Sequence, residues 1–257
     1  MIRLFTTAYP ETNKRRIADY NEALQRNLAL AEIDEICLLA EGENLALPDS
    51  PKLRVQSIPK RPLYADYFAW IEKLAQPQDV SIIANSDIYF DRQLGLFKVW
   101  ELPERTVMAL SRWNIFEDGI PTLFDRNDSQ DTWIFRGPVR GVHGDFPIGV
   151  PRCDNRILHE LHLAGYRIIN PSFSIRTFHL HAAGGNDYTG PVLAHHVKPP
   201  YRYLFPHNLW PMWRTVWHNI WHRKCPIEWR LDGRWLARTF PGRVFDKLLR
   251  ACGSHNR

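Results

Sequence analysis

The chain has 257 residues, 44% of them hydrophobic and 24% charged, and a formal net charge of +5. That length and usage suit one large folded core and exclude a disordered chain or a fibre with a glycine period. The 19 prolines argue against helical repeats and coiled coils, and no apolar run approaches the roughly 18 residues of a membrane-spanning helix.

The first elements alternate in type. The start, "MIRLFTTAYPETNKRR", has no uninterrupted apolar stretch after a basic residue and does not read as a signal peptide. Ile2 to Ala8 is a short β-prone run. Ile17, Tyr20, Leu24 and Leu28 then recur at spacings of three and four, which predicts an amphipathic helix. Glu35 to Glu41, "EICLLAE", is a near-continuous apolar strand, and Lys52 to Ile58 is another. Pro62 opens a second helix with Tyr64, Tyr67, Phe68, Ile71 and Leu74 on one side. "VSIIANSDIYFD" closes the series. Such an order predicts an α/β fold with a mostly parallel central sheet flanked by helices.

From Val107, "VMALSRWN" reads as a strand. Asp154 stands at the start of a helix whose inward face is Ile157, Leu158, Leu161 and Ala164, with Gly165 as its stop. "YRII" is a short strand, and "SIRTFHLH" alternates, which puts Ile175, Thr177, His179 and His181 on one face. The four cysteines, Cys37, Cys153, Cys225 and Cys252, form no CxxC pair. They indicate neither a thiolate zinc site nor a disulfide scaffold, and fit a reducing cytoplasmic compartment.

Charge divides the chain in two. Residues 205–257 hold ten Lys or Arg against three acids, whereas residues 1–204 carry 23 basic and 25 acidic side chains. Six of the ten tryptophans also fall in the last part. We therefore expect a catalytic domain at 1–204 and a basic, Trp-rich helical appendage at 205–257. In the appendage Trp210, Trp213, Trp217 and Trp221 share a helical face. Basic amphipathic helices with indoles suit an anionic membrane surface, and packing against the body or a subunit interface is the alternative.

Ligands of parallel α/β sheets collect beyond the carboxyl ends of the strands. Thr6, Thr7, Arg61 and Asn85–Ser86–Asp87 are the polar residues expected there. An aspartate after an apolar strand can hold a hard cation such as Mg²⁺ or Mn²⁺, and a nearby imidazole favours Mn²⁺. Taken alone, Asp87 could equally cap a turn, Asp154 a helix, and the histidines could be satisfied sheet residues. Asp154 follows a Gly/Pro loop, a position that also suits a general base.

"IIANSDIYFD", "ALSRWN", "DSQDTWIF", "CDNRILHEL", "AGYRIINPS" and "HLH" together resemble the GT-A-fold, nucleotide-sugar-dependent glycosyltransferases over roughly residues 2–200. The resemblance implies a GT-A-like, Rossmann-like sheet and a nucleotide-sugar donor. It implies a DxD-type metal site at Asn85–Ser86–Asp87, with an amide replacing the first acid, completed by His179 or His181. It makes Asp154 the acceptor base of an inverting reaction, and Thr6, Thr7 and Arg61 the nucleotide-binding edge. Asp131 and Trp133 are candidates for the acceptor side, with Arg112 and Trp113 behind them, although Trp133 in "TWIF" also reads as sheet core. The expected partners are the donor, a glycan or lipid-linked acceptor and the inner face of a membrane. Nucleic acid is not expected, because the body is slightly acidic and no known reader motif occurs. A phosphohydrolase or nuclease on the same sheet is the alternative enzyme; the lack of a second acid cluster counts against a two-metal site.

Overall fold

The computed structural model describes residues 1–42, 45–180 and 196–209. Strands β1 (Ile2–Ala8), β2 (Glu35–Glu41), β3 (Leu53–Ile58) and β4 (Val80–Ala84) form in the predicted order, with α1 (Lys14–Ala29) and α2 (Tyr64–Leu74) between them. Two-residue β5 (Ile88–Tyr89) follows β4. Next come β6 (Thr106–Leu110), β7 (Trp113–Ile115), β8 (Pro121–Leu123), β9 (Thr132–Arg136), α3 (Cys153–Leu163), β10 (Arg167–Ile169) and β11 (Phe178–Leu180).

Seven strands make the main sheet in the order β10-β6-β9-β4-β1-β2-β3. Neighbours from β4 to β3 are parallel, as are β10 and β6, and β9 alone runs antiparallel between β4 and β6. Both faces are covered, which explains why β2 and β4 read as continuous apolar runs rather than alternating ones. On one face Phe5, Cys37, Leu39, Ile83 and Trp133 pack with Tyr64, Tyr67, Phe68 and Ile71 of α2 and with Ile157, Leu158 and Leu161 of α3. On the other, Leu4, Ile36, Ile82, Met108 and Ile134 meet Leu94 and Ile175, with Leu24 and Leu28 of α1 alongside. The result is a three-layer α/β body, as expected.

Local details differ from the sequence reading for identifiable reasons. In α1 the fully enclosed side chains are Asp19, Ala23 and Asn27. Of the predicted apolar stripe, Leu24 and Leu28 pack against the core, and Ile17, Tyr20 and Leu24 line a pocket. Asn27 lies inward because its amide donates to Ile88 O at 2.8 Å and accepts from Phe90 N at 3.0 Å, tying β5 to the helix. α2 begins two residues after Pro62, where Asp66 accepts from the Leu63 N–H at 2.8 Å. At the end of α3, Gly165 adopts φ +81° and Tyr166 N returns to Leu161 O at 3.0 Å, the stop the sequence predicts.

"VMALSRWN" is two strands rather than one. β6 belongs to the main sheet, and β7 belongs to a second sheet of order β5-β11-β7-β8. Ser111 and Arg112 form the corner between them. Within the described part of the run from Ile175, the expected alternation breaks at Phe178, which is buried next to buried Thr177, and β11 spans only three residues. Residues 204–209 pack on the body, with Leu204, Phe205, His207 and Asn208 buried. Residues 210–257, which hold all six C-terminal tryptophans, lie outside the described residues. No helix among the described residues is long and apolar enough to cross a membrane.

Candidate active site

The small second sheet assembles the site. Asp87 immediately precedes β5, Arg112 immediately precedes β7, and His179 is the middle residue of β11. β11 pairs with both other strands, so His179 stands opposite Ile88 and Asn114. Leu180 N donates to Asp87 O at 3.2 Å, which fixes the main chain at the acid. Asp131 joins from the main sheet, just before antiparallel β9, whose amino end lies among the carboxyl ends of its neighbours. Asn85 N reaches Asp131 O at 3.2 Å, and Asp131 N reaches Leu110 O at 3.1 Å. The suspected strand ends thus converge.

Side chains complete a chain of charges. His179 Nε2 lies 3.2 Å from Asp87 Oδ2. Burial opposes ionisation of Asp87, but His179 and then Arg112 outweigh it and hold the carboxyl below its ordinary range. Arg112 Nη1 donates to Asp131 at 3.1 Å (Oδ1) and 3.0 Å (Oδ2), and Arg112 Nε donates to Asn114 Oδ1 at 3.0 Å. Asn85 Nδ2 also donates to Asp131 Oδ1, at 2.9 Å. This bond accounts for the amide in place of a first acid: a carboxylate at 85 has no proton to give and would repel Asp131.

Asp154 sits in the first turn of α3. Its Oδ1 accepts from Asn155 N at 2.9 Å and its Oδ2 from Gln130 N at 3.3 Å. Burial, followed by the charge of Asp131, pushes its carboxyl up to about 7; the two N–H donors work against this, and Asp128 adds to it. A carboxyl that titrates near neutral pH is suited to take a proton from a hydroxyl.

A pocket of about 230 Å³ opens next to this cluster, lined by Thr6, Thr7, Tyr9, Tyr20, Leu38, Leu47 and Ser86 among others. Thr6 is buried and its hydroxyl has no protein partner, whereas Thr7 donates to Leu39 O at 2.9 Å. Arg61 is exposed and is not among the lining residues; its guanidinium stands 5.4 Å from the centre of the ring of Tyr9, which is.

Asp87, Asp131, Asp154 and His179 therefore come together, with Thr6, Thr7 and Ser86 on the pocket side. Trp133 does not join them. It is 1% exposed, edge-on to Tyr64 at 5.2 Å, and belongs to the core, because its position in β9 faces α2. His181 lies outside the described residues. Arg112, ranked low from sequence, is the central cation. It occupies the same kind of position as Asp87, directly after an apolar strand, and that signal could have promoted it.

The cluster fits a divalent cation as a two-ligand corner. Asp87 Oδ1 is buried without a hydrogen-bond partner, and carboxylate with imidazole suits Mn²⁺ or Mg²⁺. Among the described residues no three His, Cys, Asp or Glu side chains surround one position, so phosphate oxygens or water would complete the shell.

No family model and no curated protein matches the chain. Its fold is similar to that of nucleotide-diphospho-sugar transferases among solved structures. A putative nucleotide-diphospho-sugar transferase from Desulfovibrio desulfuricans G20 is 11% identical over 66% of this chain and 78% of that one, with a TM-score of 0.39. GalNAc-T7, crystallised with UDP, GalNAc and Mn²⁺, is 10% identical over 74% of this chain, with a TM-score of 0.48; the match covers 45% of that chain. A 4-diphosphocytidyl-2C-methyl-D-erythritol synthase from Anaerococcus prevotii is 15% identical over 52% of this chain and 69% of that one, with a TM-score of 0.35. With TM-scores below 0.5 these likenesses carry no argument about activity, which rests on the residues themselves.

Proposed function

We propose that the protein is a nucleotide-sugar-dependent glycosyltransferase that moves a sugar to an acceptor hydroxyl with inversion. The carrying observation is the run Asp87–His179, Arg112–Asp131 and Asp154 at one end of the sheet, beside a pocket edged by Thr6, Thr7 and Ser86. The pocket side is assigned to the nucleotide, with Arg61 near it through the Tyr9 ring. Asp87 and His179 would hold a divalent ion, Mn²⁺ or Mg²⁺, which when bound neutralises charge building on the leaving diphosphate. Arg112 adds fixed positive charge to the same region. Asp154 accepts the proton of the acceptor hydroxyl as that oxygen attacks the anomeric carbon.

Release of nucleoside diphosphate across a panel of nucleotide sugars, with and without Mn²⁺, tests this reading. One donor should give metal-dependent release, and the product should have inverted anomeric configuration. Hydrolysis of phosphodiesters with no response to any nucleotide sugar would favour a phosphohydrolase instead.

Residues 205–209 belong to the body; for the rest of the expected appendage, residues 210–257, we propose contact with an anionic membrane surface on the cytoplasmic side, which suits a lipid-linked acceptor. Ten basic side chains, each contributing about 1 kcal/mol near such a surface, suffice for reversible binding. The chain should co-sediment with anionic vesicles at low salt and less at high salt. Indifference to vesicles at low salt would assign the segment to packing.

A further inference from the structure

The segment Phe124–Gln130, between β8 and β9, borders Asp154. Gln130 N donates to Asp154, and the charges of Arg126 and Asp128 both act on that acid. Arg112 and Arg126 both lie against the Phe124 ring, 4.3 and 5.5 Å from its centre. Arg152, the residue before α3, stands 5.9 Å from the Tyr201 ring and 3.5 Å from Asp128. Arg126 grips Asp128 through Nε and Nη2, each at 2.7 Å.

Exposure separates the charges by sign. The side chains of Arg126 and Arg152 are 57% and 43% exposed, and that of Asp128 only 17%. Asp125, the other acid of the segment, has its Oδ1 buried. Arg112 is committed to Asp131 beneath. What faces an incoming molecule next to Asp154 is therefore two guanidiniums, braced by aromatic rings, over carboxylates turned inward. Bracing on a ring and a shared carboxylate reduces the side-chain freedom lost when a guanidinium binds, and its fork suits phosphate or carboxylate.

We infer that this rim selects an acceptor carrying an anionic group, a phosphate or a carboxylate, near the hydroxyl to be glycosylated, with Arg126 and Arg152 as the residues that read it. The inference rests on the glycosyltransferase reading for the fate of the hydroxyl, but the preference for an anion is measurable by itself.

The test uses the full chain and three small sugars: methyl glucuronide, glucose 1-phosphate and neutral methyl glucoside. Binding is followed by ligand-observed NMR, with and without saturating UDP or GDP plus Mn²⁺, so that the donor side can be filled. The anionic sugars should bind at least about tenfold more tightly than the glucoside, the scale of one charge-assisted contact. Arg126→Gln with Arg152→Gln should erase that difference and leave nucleoside diphosphate binding unchanged. A tighter glucose 1-phosphate identifies phosphate as the recognised group, and a tighter glucuronide identifies carboxylate. Equal binding of the glucoside in the parent, or a preserved anion preference in the double variant, overturns the inference. Failure of both nucleotides to bind would overturn the transferase reading alone, because the anion preference is read equally without them.

Discussion

Asp154→Asn is expected to lower turnover by about 10²-fold or more while leaving donor affinity in place, the loss typical of a missing general base. The amide keeps the shape and can still accept one main-chain N–H, but it cannot take a proton. In the parent, activity should rise with pH through about 7, where the carboxyl ionises. That limb should vanish in the variant. Stability should move the opposite way. The carboxyl titrates well above its ordinary value, so the stability associated with its protonated form is fully present below the unfolded pKa of 3.8 and is lost as pH rises through about 7. The variant should therefore be more stable than the parent at pH 8, by roughly 2–4 kcal/mol at most, and no more stable near pH 3. Rate against pH, together with denaturant midpoints at the two pH values, checks both halves. A fully active variant, or a product with retained configuration, would remove Asp154 from the role of base.

The reasons why the sequence disclosed one half of the molecule better than the other are physical. β2 and β4 are long enough for hydrophobicity to speak, and a strand enclosed on both faces is a continuous apolar run whatever its partners, whereas edge strand β3 is largely exposed. Helices α2 and α3 bury the faces that their spacing marks. The second sheet was not legible. Its strands are two or three residues long, and they pair positions as distant as Ile88, Asn114 and His179. Pairing of that kind is decided by tertiary context rather than by local pattern. The break at Ser111–Arg112 was hidden because β6 and β7 together look like one strand that ends in polar residues.

The candidate site was legible as residue types at strand ends, but not as a set of roles. Asp87 and Asp154 stood out because each sits where an element begins or stops. Asp131 reads from the sequence only as an acceptor-side candidate, and the contacts that hold it, to Arg112 and Asn85, emerge only from the structure. Trp133 misled for the opposite reason: an indole has a face for sugars and a volume for cores, and only burial decides between them. Asn27 gave no signal at all, since an amide on a helix is ordinarily solvated. Its use in holding β5, and with it the segment after Asp87, emerges only from the contact.

Asp87→Ala is expected to abolish the metal dependence of donor binding, so that affinity for the nucleoside diphosphate in Mn²⁺ falls to its metal-free value. The loss should be about 10²-fold or more, since even partners behind a metal ligand are worth 10–100-fold. Disruption of the fold is a weak alternative explanation here. The main-chain oxygen of Asp87, not its side chain, accepts from Leu180 N, and Asn27 independently holds Ile88 and Phe90. The substitution removes a buried oxygen that no protein donor satisfies and the carboxylate partner of His179. His179→Ala should produce a smaller loss in the same direction, as expected of the second proposed ligand. Asn85→Asp offers an internal contrast. If Asn85 were merely a weakened first acid, restoring the carboxylate would tighten metal binding. Because its amide donates to Asp131, the change should instead set two carboxylates against each other and weaken the site. Titration of UDP or GDP with and without Mn²⁺ across the three variants separates these accounts. Metal-dependent binding that survives in Asp87→Ala would place the cation elsewhere.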